Sequence, residues 1–84
     1  MPVALTAEHL AQIRSAFPPA DQADVERLLI DECGTNLPFL AENRESDIQR
    51  IRTAVLKLSA GNAEKFLYWL EVAKQDWRDV LVGN

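Results

Sequence analysis

The chain has 84 residues, of which 48% are hydrophobic and 26% charged, and it carries a net charge of −4. This length suits one small domain, and the apolar content is too high for an intrinsically disordered protein. The excess of acidic residues argues against a general affinity for nucleic acid, which requires a basic face. We therefore expect a single folded domain over residues 1–84 that does not bind nucleic acid.

The apolar runs are short, as in Val80-Leu81-Val82, whereas a membrane-spanning helix needs about 20 apolar residues. The first five residues lack the basic start and the long apolar core of a signal peptide. Cys33 is the only cysteine, which excludes an internal disulfide and a cysteine-based zinc site. These features predict a cytoplasmic protein with no membrane contact, no metal and no cofactor.

Two helices are predicted in the first part of the chain. The first begins after Thr6, a favourable N-cap residue, and ends at Pro18-Pro19, because proline cannot continue a helix. The second is predicted to have Asp21 as its N-cap and to end at Gly34, where a left-handed residue is expected. Their apolar stripes, at helical spacing, are Leu10, Ile13 and Phe17, followed by Val25, Leu28 and Leu29.

A short third helix and a longer fourth one are predicted next. Residues 36–40 contain an asparagine and a proline that suit a cap and a first helical turn, and residues 42–45 form a polar loop. Ser46 and Gln49 match a capping box at the start of the fourth helix, which ends at Ser59-Ala60-Gly61. The apolar stripe of this helix consists of Ile48, Ile51, Val55 and Leu58.

Asn62 and Asp76 are the expected N-caps of a fifth and a sixth helix, which could instead be one bent helix. Their buried positions are predicted to be Phe66, Leu67, Leu70 and Ala73, followed by Trp77, Val80 and Leu81. No stretch alternates polar and apolar residues as a half-buried strand does. The sequence therefore predicts an all-α protein, a compact antiparallel bundle of about six short helices.

No segment contains an evident catalytic or metal-binding arrangement. His9 is the only histidine, and we expect it on the surface in the first turn of the first helix. The adjacent Glu8 does not share its helical face and so is not a catalytic partner for it. Cys33 is expected to be a buried apolar residue, since the acidic residues beside it and the helix C-terminus disfavour a thiolate. Asp76 and Asp79 are expected to stabilise a helix start rather than to act as an acid–base pair. The protein is therefore not expected to be an enzyme.

The charges are unevenly distributed along the chain. Residues 1–41 contain six acidic and two basic residues, whereas residues 48–65 contain four basic residues and one acidic residue. On helical wheels Asp24 and Asp31 share an exposed side, and Arg50 and Lys57 lie together opposite an apolar stripe. Two interpretations remain open. In the first, both faces are simply solvated, and Arg27 pairs with Asp31. In the second, the two faces are complementary and meet between molecules.

The aromatic residues of the last third allow two interpretations. Trp77 is expected to lie mainly in the core. Trp69 lies on the flank of its helix and Tyr68 nearly opposite the buried stripe. These two side chains serve either as packing at the edge of the core or as contacts to a partner, because tryptophan and tyrosine are enriched at interface hot spots.

The pattern of helices and stops resembles the death-fold superfamily, including caspase-recruitment-like domains, and the bacterial effector-associated adaptor domains. The residues that carry the resemblance are Ala16-Phe17-Pro18, Leu28-Leu29, Gly34 with Asn36-Leu37-Pro38, and Leu58-Ser59 with Gly61. The pattern covers essentially the whole chain. The ending Ala73–Asp79 departs from the proline-containing tail expected of the bacterial adaptors.

The resemblance implies that the domain associates with a similar helical domain or with a second copy of itself, and so recruits or assembles effectors in bacterial defence or signalling. In caspase-recruitment-like domains a basic face of one molecule meets an acidic face of another. The residues that fit the basic side are Arg50, Lys57 and Arg14, and those that fit the acidic side are Asp24, Asp31 and Glu32.

Two other functions remain open at this point. The chain could be a stand-alone acidic inhibitor that binds a basic surface, although the basic stretch at 48–65 argues against it. It could also be an accessory subunit of an enzyme that docks through Tyr68 and Trp69. The expectation that best fits the sequence is a non-enzymatic protein-interaction adaptor.

Overall fold

The computed structural model describes residues 3–38 and 44–83, which fold into helices without any strand. The helices of this described part are α1 (Ala7–Ala16), α2 (Pro19–Glu32), α3 (Arg44–Ser59) and α4 (Ala63–Gly83). The predicted all-α class is therefore confirmed. The predicted number of about six helices is wrong, because the described residues form four.

Two features account for the lower number of helices. Residues 36–38 form turns rather than a helix, and residues 39–40 of the predicted third helix lie outside the described part. The fifth and sixth predicted helices are one helix, α4, which bends at Asp76. Asp76 has extended backbone angles (φ −159°, ψ 101°), and its carboxylate accepts the backbone N–H of Arg78 at 3.1 Å. This cap lets the helix resume after the bend.

Three predicted helix ends differ from those observed. α2 begins at Pro19 rather than after Asp21, because proline fits the first helical position, and Asp21 lies within the first turn. α3 already includes Arg44, so Ser46 is inside the helix and is not its cap. Gly34 is not left-handed, whereas Gly61, with a φ of 76°, ends α3 as predicted.

The core lies where the apolar stripes of the helices meet. Phe17 of α1 and Phe66 of α4 contact each other edge to face, with ring centroids 5.9 Å apart. The other large buried apolar residues are Ile13, Val25, Leu29, Leu37, Ile48, Ile51, Val55, Leu56, Leu70 and Val80. Each contributes roughly 1.5–3 kcal/mol through burial. Leu67 departs from the prediction, since half of its side-chain surface is exposed.

Each helix packs against two neighbours: α3 contacts α4 and α1, and α2 contacts α4 and α1. α3 and α4 pack along most of their length, and Leu81 near the end of α4 lies beside Arg50 of α3, so these helices are antiparallel. α1 packs on α3, and α2 packs on α4. The Glu32–Lys74 pair and the shared cleft of Leu28 and Leu67 indicate that α2 and α4 run in the same direction. α2 and α3 therefore lie diagonally across the bundle.

Candidate functional site

The predicted acidic face is present on α2. Asp24 and Asp31 are exposed and seven residues apart, so they lie on the same side of the helix. Arg27 forms an ion pair with Asp24 at 3.3 Å, and not with Asp31 as one interpretation of the sequence had it. Because the side chains of this pair are 63% and 71% exposed, the pair contributes at most about 1 kcal/mol and exchanges readily with solvent or a partner.

Glu32, also predicted for the acidic face, is used within the bundle. Its carboxylate accepts a hydrogen bond from Lys74 of α4 at 2.7 Å. Lys74 also contacts Glu71 at 3.0 Å, and the hydrogen bonds to Glu32 and Glu71 raise the pKa of the lysine. Glu32 therefore joins α2 to α4 while its side chain stays 37% exposed, and the more exposed residues of the predicted acidic face are Asp24 and Asp31.

The predicted basic face is present on α3. Arg50 and Lys57 are exposed, seven residues apart, and Arg50 pairs with Asp47 at 3.5 Å in the preceding turn. Arg14 does not join them. It lies about 140° around α1 from His9, the residue that contacts α3, so its exposed side chain points away from the basic face.

Arg52, counted in the sequence as part of the basic middle region, is fully buried. Its Nε donates to the carbonyl of Cys33 at 2.8 Å and its Nη1 to the carbonyl of Ala4 at 3.2 Å. Nη2 is buried without a hydrogen-bond partner among the described residues, and burial lowers the pKa of the guanidinium. This side chain fastens the N-terminal segment and the end of α2 to α3.

Cys33 is fully buried at the end of α2, as predicted. Burial raises the pKa of its thiol to about 12, and the nearby Arg52 offsets only part of that increase. The thiolate is the nucleophile and the metal ligand in cysteine chemistry. Cys33 therefore serves as a packing residue.

His9, predicted at the surface, is buried and joins α1 to α3. Its Nδ1 faces the backbone N–H of Thr6 at 3.4 Å, and the hydroxyl of Thr6 accepts the backbone N–H of His9 at 3.1 Å. The two residues form a capping box, which confirms Thr6 as the N-cap of α1. On the other side of the ring, Nε2 lies 2.9 Å from the hydroxyl of Thr53 and 3.2 Å from the carbonyl of Gln49.

These contacts fix the protonation of His9. Because the Thr6 N–H is a donor, Nδ1 must be its acceptor, and the proton of the neutral ring is on Nε2. Burial lowers the pKa of His9, and the positive charge of Arg52 adds to this effect, while Gln49 and Glu8 act in the opposite direction. In this tautomer Nε2 cannot accept the Thr53 proton, so the pair does not form a nucleophile and base.

A polar groove of about 530 Å³ opens beside His9, along the outer side of α3. Its lining residues are Thr6, Glu8, His9, Ser46, Gln49, Arg50, Thr53, Ala54 and Leu81. Arg50 of the basic face therefore stands at the edge of a concave surface. The hydrogen bonds of His9 are used within the fold, so the charged groups that this groove offers to a partner are Glu8 and Arg50, of opposite sign.

The two tryptophans and the tyrosine of α4 differ in burial. Trp77 is half-buried against the core, and its indole N–H donates to the carbonyl of Pro38. Trp69 packs against the core at the rim, and Tyr68, 61% exposed, stacks edge to face on it with centroids 5.1 Å apart. Tyr68 is thus an exposed aromatic ring held by a rigid neighbour.

A second concave surface lies between the first halves of α2 and α4. This cleft, of about 170 Å³, is lined by Asp21, Asp24, Val25, Arg27, Leu28, Ala63, Phe66 and Leu67. The sequence did not indicate it, because Leu67 was assigned to the buried stripe. A leucine one position from Phe66 lies about 100° from it on the helix, which is the signal that could have placed Leu67 at the edge.

Within residues 3–38 and 44–83, no group of three or more His, Cys, Asp or Glu side chains is placed to hold a metal ion. None of the helices in the described part of the chain is long and apolar enough to cross a membrane. The charged and concave surfaces above are therefore the features available for an assignment of function. A comparison of the chain with protein-family models, curated proteins and solved structures finds no match in any of the three.

Proposed function

We propose that this domain is a non-enzymatic protein-interaction adaptor that associates with a similar helical domain or with copies of itself. In this proposal the acidic face, Asp24 and Asp31 of α2, pairs with the basic face, Arg50 and Lys57 of α3, on the next molecule. The resemblance to death-fold domains motivates the context, in which the adaptor recruits effectors in cytoplasmic bacterial defence or signalling.

The observation that carries this proposal is the diagonal placement of α2 and α3. Asp24, Asp31, Arg50 and Lys57 are all exposed, and the ion pairs of Asp24 and Arg50 are made within their own helices rather than between the two faces. Between molecules the contact is head-to-tail, which leaves one free acidic and one free basic face at the ends of any assembly. Such complementary faces accelerate encounter and fix the orientation of the partners.

The local ion pairs do not prevent this contact. Arg50 pairs with Asp47 and Arg27 with Asp24, each three residues away on the same helix, and apart from the half-buried Asp47 these side chains are exposed. Exposed pairs of this kind contribute at most about 1 kcal/mol. Breaking them therefore costs little compared with the attraction between opposite charges that are partly desolvated in an interface.

The test reverses the basic face with Arg50→Glu and Lys57→Glu. Self-association, measured by sedimentation velocity at physiological salt, or capture of a similar domain should be lost while helical content and melting stay unchanged. Lys65→Glu is the matched control, since this lysine is exposed on α4 outside the basic face. The proposal is wrong if the double reversal binds as the unaltered chain does.

A second candidate function is supported by Tyr68. Its exposed ring, stacked on Trp69, is the type of anchor that protein interfaces use, which suits an accessory subunit docking on an enzyme. Replacing both aromatic residues by alanine should abolish docking in that case and leave the charge-driven contact intact. The alternative of an acidic inhibitor is less well supported, because Arg50 and Lys57 expose positive charge.

A further inference from the structure

The cleft between α2 and α4 is an apolar site with an acidic edge. Its accessible apolar lining comes from Leu28 and Leu67, with the buried Val25 and Phe66 beneath them, and its acidic residues are Asp21 and Asp24. A cavity of about 150 Å³ accommodates a benzene ring, so the roughly 170 Å³ here admits one aliphatic or aromatic side chain. Leu67, half-exposed beside it, is an apolar residue whose surface a partner would cover.

The charges at the edge of the cleft indicate which partner fits. Asp21 and Asp24 are both acidic, and the one basic lining residue, Arg27, already pairs with Asp24. Two copies joined about a two-fold axis at this cleft would bring these carboxylates together, and like charges in an interface are strongly unfavourable. A segment with lysine or arginine beside its apolar anchor is complementary.

The basic face of a second copy does not combine a basic residue with an apolar anchor, as the cleft requires. It carries Arg50 and Lys57, but the large apolar side chains exposed in the described part of the chain are Leu67, Tyr68 and Val82. None of these belongs to α3. That face therefore supplies charge without an apolar anchor, and the cleft requires a different partner.

We infer that this cleft captures a basic, amphipathic segment of another protein, whose apolar side chain enters between Leu28 and Leu67 while its cations meet Asp21 and Asp24. This site is separate from the proposed self-association, although the two share Asp24. A bound segment would compete with head-to-tail assembly for this one carboxylate.

The probe is a synthetic 14-residue peptide of leucine, lysine and alanine, with leucines at helical positions i, i+3 and i+7 and lysines beside them. A scrambled peptide of identical composition is its control. Titrated into the 15N-labelled full chain, the patterned peptide should shift the amide signals of the cleft residues and bind at least about tenfold more tightly than the scrambled one. Equal binding of both peptides, or shifts spread over all acidic surfaces, would overturn the inference.

Leu67→Asp separates docking from simple charge attraction. It increases the negative charge, so attraction alone predicts tighter binding, whereas loss of the apolar contact predicts binding weaker by about tenfold or more. Val82→Asp is the matched control, because it adds the same charge at an exposed apolar residue outside the cleft. Leu67→Ala repeats the test with a smaller perturbation, and tighter binding by Leu67→Asp contradicts the inference.

The charge-reversed chain of the self-association test distinguishes the two proposals. Arg50→Glu with Lys57→Glu leaves the cleft unaltered, so it should bind the patterned peptide at least as well as the unaltered chain, whether or not self-association exists. Loss of peptide binding in this variant would contradict the cleft inference alone.

Discussion

Acidification should weaken the contact between α1 and α3, because His9 is buried there in its neutral form. Its Nδ1 accepts the Thr6 N–H, and its Nε2–H is directed at Thr53 and Gln49. A second proton would go on Nδ1, where it would meet a backbone donor instead of an acceptor. Glu8 and Arg52 are the charged groups that act on the ring, the first favouring and the second opposing its protonation.

The direction of the effect follows from the lowered pKa of His9. In the unfolded chain the imidazole has its ordinary pKa of about 6.5, whereas burial lowers the pKa of His9 in the folded protein, which therefore binds this proton only at lower pH. The contribution of His9 to stability is therefore complete above pH 6.5 and is lost as the pH falls from 6.5 through the folded-state pKa. The domain as a whole is expected to have roughly 4–13 kcal/mol of stability.

The assay is urea unfolding at pH 8, 7, 6 and 5 with any histidine tag removed, since His9 is the only histidine of the chain. This range lies above the usual pKa values of the carboxyl groups, so the slope reports mainly on His9. His9→Gln is the control. Glutamine keeps the capping box with Thr6 but does not titrate.

We expect the free energy of unfolding to fall from pH 7 to pH 5 in the unaltered chain and to change much less in His9→Gln. A proton NMR titration of the ring should give a pKa below 6.5. Parallel pH profiles of the two chains, or a pKa above 6.5, would refute the buried neutral His9.

Two substitutions test other structural contacts. Arg52→Met should lower the free energy of unfolding by about 1–2 kcal/mol in urea unfolding, because the carbonyls of Cys33 and Ala4 lose their donors. A gain in stability would indicate that burying the charge costs more than its hydrogen bonds contribute. Gly61→Ala should cost about 2 kcal/mol or more in thermal unfolding, since a Cβ there collides with the carbonyl of Ala16 and the φ of 76° strains it. A melting temperature equal to that of the unaltered chain would contradict the tight turn between α3 and α4.

The helical stripes could be predicted from the sequence because burial follows the helical period closely. Ile13, Phe17 and Phe66 are buried as expected. The number of helices could be predicted only in part, since residue types that cap helices also occur inside them, as Ser46 does in α3. Asp76 caps the helical turn after the bend, and α4 is the one bent helix that the sequence allowed as an alternative.

The polar residues were harder to place, because their positions depend on tertiary contacts. His9 lies four residues before Ile13 on the same stripe, but only the neighbouring α3 provides the hydroxyl and the carbonyl that hold its ring. Arg52 is buried because it reaches carbonyls far away in the sequence. Exposure could be predicted for four charged residues, because a position opposite the apolar stripe on the helical wheel is enough to place a side chain in solvent. These residues are Asp24, Asp31, Arg50 and Lys57, and their role stays a prediction.

A charge exchange tests the central proposal, pairing between the faces of α2 and α3, most directly. One chain carries Arg50→Glu and Lys57→Glu, and the other carries Asp24→Lys and Asp31→Lys. Each chain then has two faces of the same sign and should remain monomeric in sedimentation velocity. An equimolar mixture should recover association, because each altered face meets its complement. Association of either chain alone, or a mixture that remains monomeric where the unaltered chain associates, would contradict the proposal.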